Sequence, residues 1–151
     1  MRALLQRVTE ASVEVVDDGG DVHESGRIGP GLVALVGFAP TETPDALDWM
    51  AAKIANLRVF SDEGREMDRS LRDTDACLLV VSQFTLYADT RKGRRPDFTG
   101  AASYTDAQAL YQRFCERCEA ELPGRVATGQ FGARMRVRLV NDGPVTLWLE
   151  R

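Results

Sequence analysis

Two near-continuous apolar runs, G-L-V-A-L-V-G-F at 31–38 and C-L-L-V-V-S-Q-F at 77–84, set the tightest limit on what this chain can fold into. A strand with one face in water alternates apolar and polar residues; these runs have no polar face, which is the pattern of strands covered on both sides. The first, bounded by glycines, predicts a central strand, and the second predicts another of the same kind. Helices to cover them are well punctuated. Thr43 is a candidate N-cap, Pro44 suits the first helical position and Asp45 the first turn. Leu47, Met50, Ala51, Ile54 and Leu57 then form one apolar stripe. A second helix starts near Ser103, with Asp106 completing a variant capping box. It buries Ala107, Leu110, Tyr111, Phe114, Cys118 and Leu122 and stops at Pro123-Gly124.

The remaining segments read as short strands and turns. The N-terminal A-L-L-Q-R-V-T-E-A-S-V-E-V-V, the D-D-G-G-D turn and V-H-E-S-G-R-I-G predict two or three short antiparallel strands. S-D-E-G-R-E at 61–66 reads as a turn, and 67–76 is too polar and irregular to assign. Strands are expected near 125–128, 133–140 and 145–150. Between the last two, N-D-G-P at 141–144 reads as a hairpin turn, because proline cannot donate to a ladder and glycine leaves nothing to pack. No repeat, low-complexity tract or linker interrupts the chain, so residues 1–151 are expected to form a single α+β domain.

Composition excludes much familiar chemistry. Apolar residues make up 44% and charged residues 28%, as in ordinary folded proteins. No stretch reaches the apolar length of a membrane span, and charges break the N-terminus too early for a signal peptide, so a cytoplasmic protein is expected. The three cysteines, Cys77, Cys115 and Cys118, read as reduced thiols. Cys115 and Cys118 form a C-x-x-C, but inside a helix and without a second pair, so no metal is expected. His23 is the only histidine and lies among polar hairpin residues, which leaves a Ser-His-Asp triad without its base. Neither a P-loop nor a G-x-G-x-x-G follows a strand, and no cofactor is expected.

What remains is the segment from 80 to 102. A buried strand delivers Ser82, Gln83 and Thr85 to its end, immediately before a long loop rich in charge, glycine and proline, a frequent setting for a site. Period two would turn Ser82 and Phe84 one way and Gln83 and Thr85 the other. Net charge is −4, yet Arg91, Lys92, Arg94 and Arg95 place four cations within five residues, and Arg134, Arg136 and Arg138 recur with period two. Such patches can contact phosphates on an acidic protein or can be solvated surface.

S-Q-F-T-L-Y-A-D at 82–89, N-D-G-P-V-T-L-W-L at 141–149 and A-L-L-Q-R-V at 3–8 together resemble the D-aminoacyl-tRNA deacylases of the bacterial and eukaryotic type. R-V-F-S-D-E-G-R-E-M, R-P-D-F-T-G-A-A-S and L-Y-Q-R-F-C-E-R-C extend the likeness through essentially the whole chain. One departure is Met67-Asp68, where family members often have Met-Asn. The resemblance implies a mixed or antiparallel sheet curved into a partial barrel with two main helices, in a cytoplasmic homodimer. The implied reaction is hydrolysis of the ester between a D-amino acid, or glycine, and the 3′-terminal adenosine of tRNA.

The resemblance further implies that Gly143-Pro144 is a cis pair reaching into the other subunit's active site, where its carbonyls exclude an L side chain. Ser82, Gln83, Phe84 and Thr85 are then the candidate catalytic segment, with main-chain N–H groups near Phe84 and Thr85 receiving the oxyanion and the ribose 2′-hydroxyl helping to direct water. Leu86, Phe131, Asn141, Val145 and Thr146 join Arg7, Gly143 and Pro144 as candidate substrate-binding residues; Arg7 supports the Gly-Pro segment and Phe131 lines the adenosine site. Thr85 as a nucleophile is the competing version, without an obvious base. A nucleic-acid-binding protein without catalysis, or an esterase for small metabolites, are the alternatives in kind.

Overall fold

The computed structural model describes residues 1–62 and 64–151. In chain order its elements are β1 (Arg2–Val16), β2 (Val22–Ile28), β3 (Gly31–Gly37), α1 (Pro44–Asn56), β4 (Phe60–Asp62), β5 (Arg65–Arg69) and β6 (Cys77–Ser82). A 3₁₀ turn (Phe84–Tyr87), α2 (Tyr104–Glu121), β7 (Val126–Thr128) and β8 (Arg134–Glu150) complete it. The main sheet runs β2-β1-β3-β6-β7, with β8 paired to the other edge of β1. The β3-β6 and β6-β7 pairs are parallel and the others antiparallel. Along one edge β1 changes partner, from β3 at residues 2–8 to β2 at residues 11–16. That change curls the sheet until β2 meets β7, where the Ser25 hydroxyl donates to the Thr128 carbonyl at 3.1 Å. The outcome is the expected α+β architecture, a mixed sheet forming a nearly closed barrel with two helices outside.

The two apolar runs have the burial their composition requires. Leu32, Ala34 and Val36 of β3 and Leu78 and Val80 of β6 face the helices, in a core shared with Leu47, Met50, Ile54, Phe114 and Leu122. Val33, Leu79 and Val81 point the other way, into a barrel core with Val8, Ala11, Val13 and Ile28. Both helix starts follow the sequence: Thr43 Oγ1 accepts from Ala46 N–H at 3.3 Å and Ser103 Oγ from Asp106 N–H at 3.2 Å.

Two expectations need correction, and one unassigned segment gains a structure. The N-terminal segment forms one 15-residue strand and a second of seven, not two or three short ones. Its alternation is disguised by a bulge: pairing with β8 steps from Val8↔Asn141 to Glu10↔Val140, so Thr9 is the extra residue. Such an insertion moves side chains to the opposite face, and the barrel-facing set accordingly passes from Val8 to Ala11 and Val13. Next, N-D-G-P is no hairpin turn, because β8 continues through it for 17 residues. Long β1 supplies partners on both sides, Gln6↔Thr146 and Val8↔Asn141, and the four residues Asp142–Val145 bulge out opposite Arg7 alone. Finally, the unassigned segment after 66 contributes β5, which pairs with β4 as a small separate sheet. β5 is mostly exposed and so lacks the apolar period that marks a strand. The turn expected at 61–66 includes Glu63, which lies outside the described residues.

Candidate active site

β6 ends at Ser82 because its neighbour β3 ends at Gly37. The last link is Gln83 N–H donating to the Val36 carbonyl at 2.7 Å, after which the chain winds into the 3₁₀ turn. Period-two alternation therefore does not extend through Phe84 and Thr85, contrary to the sequence reading. Leu86 N–H donates to Gln83 O at 3.2 Å and Ala88 N–H to Thr85 O at 3.1 Å. The N–H groups of Phe84 and Thr85, the first two in the turn, have no hydrogen-bond partner among the described residues. Gly37 permits this packing: a Cβ there would stand 2.8 Å from the Gln83 carbonyl oxygen, too close for any other residue. Thr85 Oγ1 accepts from the Gln83 side-chain amide, which has no proton-accepting nitrogen and cannot act as its base.

A cavity of about 670 Å³ opens beside the turn. Ser82, Gln83 and Phe84 line one side of it, and Phe131 with Met135 and Val137 another. Two aromatic pairs line it: Phe84 meets Phe98 edge-on at 5.1 Å and Tyr104 meets Phe131 at 5.2 Å, with Phe131 leaning on buried Tyr111 behind it at 5.7 Å. Phe98 and Tyr104 were missed as candidates. The signal was available, since an aromatic residue inside the polar segment R-R-P-D-F-T-G is costly to leave in water unless it lines a site. Thr85 and Leu86 belong to the turn but do not line this cavity.

The second motif lies elsewhere on the chain. Arg7, only 9% exposed, donates from Nη1 to the Val59 carbonyl at 2.6 Å and from Nε to the Asp142 carbonyl at 3.2 Å. It also pairs with the Asp142 carboxylate at 3.1 Å. Asn141 Nδ2 closes the bulge by donating to the carbonyls of Arg7 at 3.2 Å and Val145 at 3.1 Å. Thr146 Oγ1 accepts from the Gln6 amide at 3.3 Å, and Val145 is buried beneath. Gly143 and Pro144, joined by a cis peptide, are held out into solvent on this base. Gly143 has φ +130°, and a Cβ on it would lie 2.8 Å from Val145 N, so glycine is required here. Neither Gly143 nor Pro144 lines the cavity at the turn. Within one chain the two motifs are apart.

Arg91, Lys92, Arg94 and Arg95 sit at the exposed tip of a loop closed by paired backbone hydrogen bonds between Asp89 and Asp97, 2.7 and 2.9 Å. Arg91 is engaged with Asp89, its Nη2 2.6 Å from Oδ2. Hydrogen bonds from the Arg91 side chain and backbone hold the Asp89 carboxyl at about 2. Among the described residues Lys92, Arg94 and Arg95 have no carboxylate partner. At the other end of the 3₁₀ turn, Tyr87 donates to Glu42 Oε1 at 3.2 Å; burial first, and then Glu42, push its phenol well above the ordinary value.

A family model described as D-Tyr-tRNA(Tyr) deacylase matches residues 4–150. A D-aminoacyl-tRNA deacylase of Chlorobaculum tepidum is 51% identical over 150 residues, covering 99% of this chain and 97% of that protein. Another, from Stenotrophomonas maltophilia (strain K279a), is 53% identical over 150 residues, covering 99% of each. A solved structure of a c-Myc DNA unwinding element binding protein superposes with a TM-score of 0.91 at 42% identity, covering 100% of this chain and 99% of that one. A structure described as a probable eukaryotic D-amino acid tRNA deacylase shares the fold, with a TM-score of 0.84 at 22% identity over 98% of this chain and 97% of that one.

Proposed function

The chain belongs to the D-Tyr-tRNA(Tyr) deacylase family, and from that premise we propose that it hydrolyses the ester joining a D-amino acid to the 3′-terminal adenosine of tRNA, releasing both. The observation that carries the mechanism is the pair of unpartnered N–H groups at Phe84, which lines the cavity, and at the adjoining Thr85, whose hydroxyl has no hydrogen-bonded base among the described residues. Attack by water turns the ester carbonyl oxygen into an oxyanion, which these two donors receive. An aminoacyl ester is already activated, so positioning and oxyanion stabilisation suffice without a nucleophilic side chain. The ribose 2′-hydroxyl directs the water, and the adenosine lies against the aromatic pair that includes Phe131.

Chirality is read at the α-carbon. An enzyme for many D-amino acids cannot grip their side chains, and apolar contacts discriminate by only about 1–3 kcal/mol per methylene. Rigid main chain placed where an L side chain would go excludes it whatever its identity. Gly143-Pro144 supplies that main chain from the partner subunit of a homodimer, with Arg7 and Asn141 as its mount. Two features support the reading: the pair is exposed, and it does not line its own chain's cavity. Glycyl-tRNA, with no side chain to exclude, is a second substrate. Lys92, Arg94 and Arg95 contact tRNA phosphates, with Arg91 tied to Asp89, and the protein works in the cytoplasm.

The test is deacylation of D-tyrosyl-, L-tyrosyl- and glycyl-tRNA by the same preparation. Rapid loss of the D- and glycyl esters with the L-ester intact is expected; equal cleavage of D and L would remove the exclusion mechanism. A second reading, nucleic-acid binding without catalysis, draws on the basic loop and on the 42% identical relative, whose name is that of a DNA-element binding protein. All three esters surviving prolonged exposure would favour it. A small-metabolite esterase would cleave a free amino-acid ester as efficiently as the tRNA ester.

A further inference from the structure

The 3₁₀ turn is short, and what holds it in place is uneven. Its start is fixed by Gln83 N–H on the Val36 carbonyl and its back by contact with Gly37. Its far end lies against the start of β1, where Arg2 meets it. Arg2 Nη1 donates to the Leu86 carbonyl at 2.9 Å, its Nε donates to Glu150 Oε1 at 2.8 Å, and its guanidinium lies 4.4 Å from the centroid of the Tyr87 ring. Trp148 shields the same group at 5.8 Å. A planar cation fixed by a carboxylate and stacked on an aromatic ring is a rigid donor, unlike a free surface arginine.

We infer that Arg2 is a positioning residue for hydrolysis, setting the orientation of the Phe84–Tyr87 turn through the Leu86 carbonyl and thereby the aim of the Phe84 and Thr85 N–H groups. This rests on the reading that those groups receive the oxyanion. Leu86 is two residues from Phe84, and the turn is tied together by Leu86 N–H on the Gln83 carbonyl and Ala88 N–H on the Thr85 carbonyl, so a tilt at the Leu86 carbonyl is carried back to the donors through these bonds. Oxyanion donors act only within a few tenths of an ångström of their mark, and small misplacements cost large factors in rate. Arg2 touches neither the cavity nor the basic loop, so its loss affects the chemical step and leaves tRNA affinity unchanged.

The test compares the full-length wild type with Arg2→Met and Arg2→Lys in single-turnover hydrolysis of D-tyrosyl-tRNA, in tRNA binding, and in the backbone amide NMR signals of Phe84 and Thr85. Arg2→Met should slow hydrolysis about 10- to 100-fold, leave the tRNA dissociation constant unchanged and shift both amide signals. Arg2→Lys, which keeps a cationic donor for the Leu86 carbonyl but loses the planar group stacked on Tyr87, should recover only part of the lost rate. If Arg2→Met does not fold, Arg2→Leu, which also lacks any donor, replaces it with the same expectations. A wild-type rate in the neutral variant, a loss that lysine does not reduce, or a loss matched by weaker tRNA binding overturns the inference. If the wild type itself leaves D-tyrosyl-tRNA intact, the deacylase reading fails instead. The amide signals then decide the Arg2 contact alone, and unchanged signals in the neutral variant refute it.

Discussion

Thr85 and Phe84 separate main-chain from side-chain chemistry at the level of single residues. The Thr85 hydroxyl accepts from an amide and has no hydrogen-bonded base among the described residues, so Thr85→Ala should keep substantial single-turnover activity. A loss of many orders of magnitude with tRNA affinity unchanged would make the hydroxyl a nucleophile. The converse substitution is Phe84→Pro. Phe84 is the first residue of the turn, the helical position that proline suits while deleting only an N–H. Relative to Phe84→Ala, which controls for the lost ring, Phe84→Pro should fall a further ~10²–10³-fold, the usual cost of one oxyanion donor. Cysteine chemistry belongs to the same scale. Burial pushes the Cys115 thiol up to about 11 and Cys118 higher still. Unfolded thiols titrate near about 8.5, so above that pH the unfolded chain releases protons that the native fold keeps. This contribution to stability is complete below about pH 8.5 and is lost as pH rises toward 11. Denaturant midpoints measured from pH 7 to 11 should fall only in the upper half of that range, and less in Cys115→Ala; a flat profile would mean the thiols ionise in the native state.

Individual elements were legible where one rule governed them. Thr43-Pro44-Asp45 and Ser103 with Asp106 fixed both helix starts, because capping is local chemistry that tertiary packing had no reason to override. The runs at 31 and 77 declared two-sided burial, though not that one face belonged to a barrel. Gly143-Pro144 misled, because the rule that proline ends a strand assumes matched partners. Here Arg7 and Asn141 supply side-chain hydrogen bonds where the ladder is missing, and the strand resumes at Thr146. Side-chain partners 134 positions distant cannot be seen in local sequence. The loop at 90–96 was legible as basic but not as selectively so, since the Arg91 charge is answered by Asp89. That difference predicts unequal roles. Arg94→Ala and Arg95→Ala should each lower the slope of log affinity for tRNA against log salt by roughly 0.7–0.9, whereas Arg91→Ala should change it less. Equal slopes in all three variants and the wild type would return the loop to plain surface.

For the whole molecule, the decisive fact is that the Gly143-Pro144 bulge and the cavity beside Phe84 do not meet in one chain. If each site takes the cavity from one subunit and the bulge from the other, an isolated folded subunit has every required residue yet no complete site. Two damaged chains should then repair each other. Phe84→Pro removes a donor from the cavity; Gly143→Ala places a Cβ 2.8 Å from Val145 N, at a φ of +130° that alanine resists, and so disturbs the bulge. In a heterodimer of the two variants, one site combines both defects and the other combines the intact cavity of the Gly143→Ala chain with the intact bulge of the Phe84→Pro chain. Random exchange in an equal mixture makes about half the dimers mixed, and about a quarter of all sites intact. Hydrolysis of D-tyrosyl-tRNA should therefore rise from background toward about a quarter of the wild-type rate, on the timescale of subunit exchange. A site assembled within one chain gives a different result, because every site in the mixture then carries one defect. Background hydrolysis after exchange has been verified by mass would assign the bulge to its own subunit.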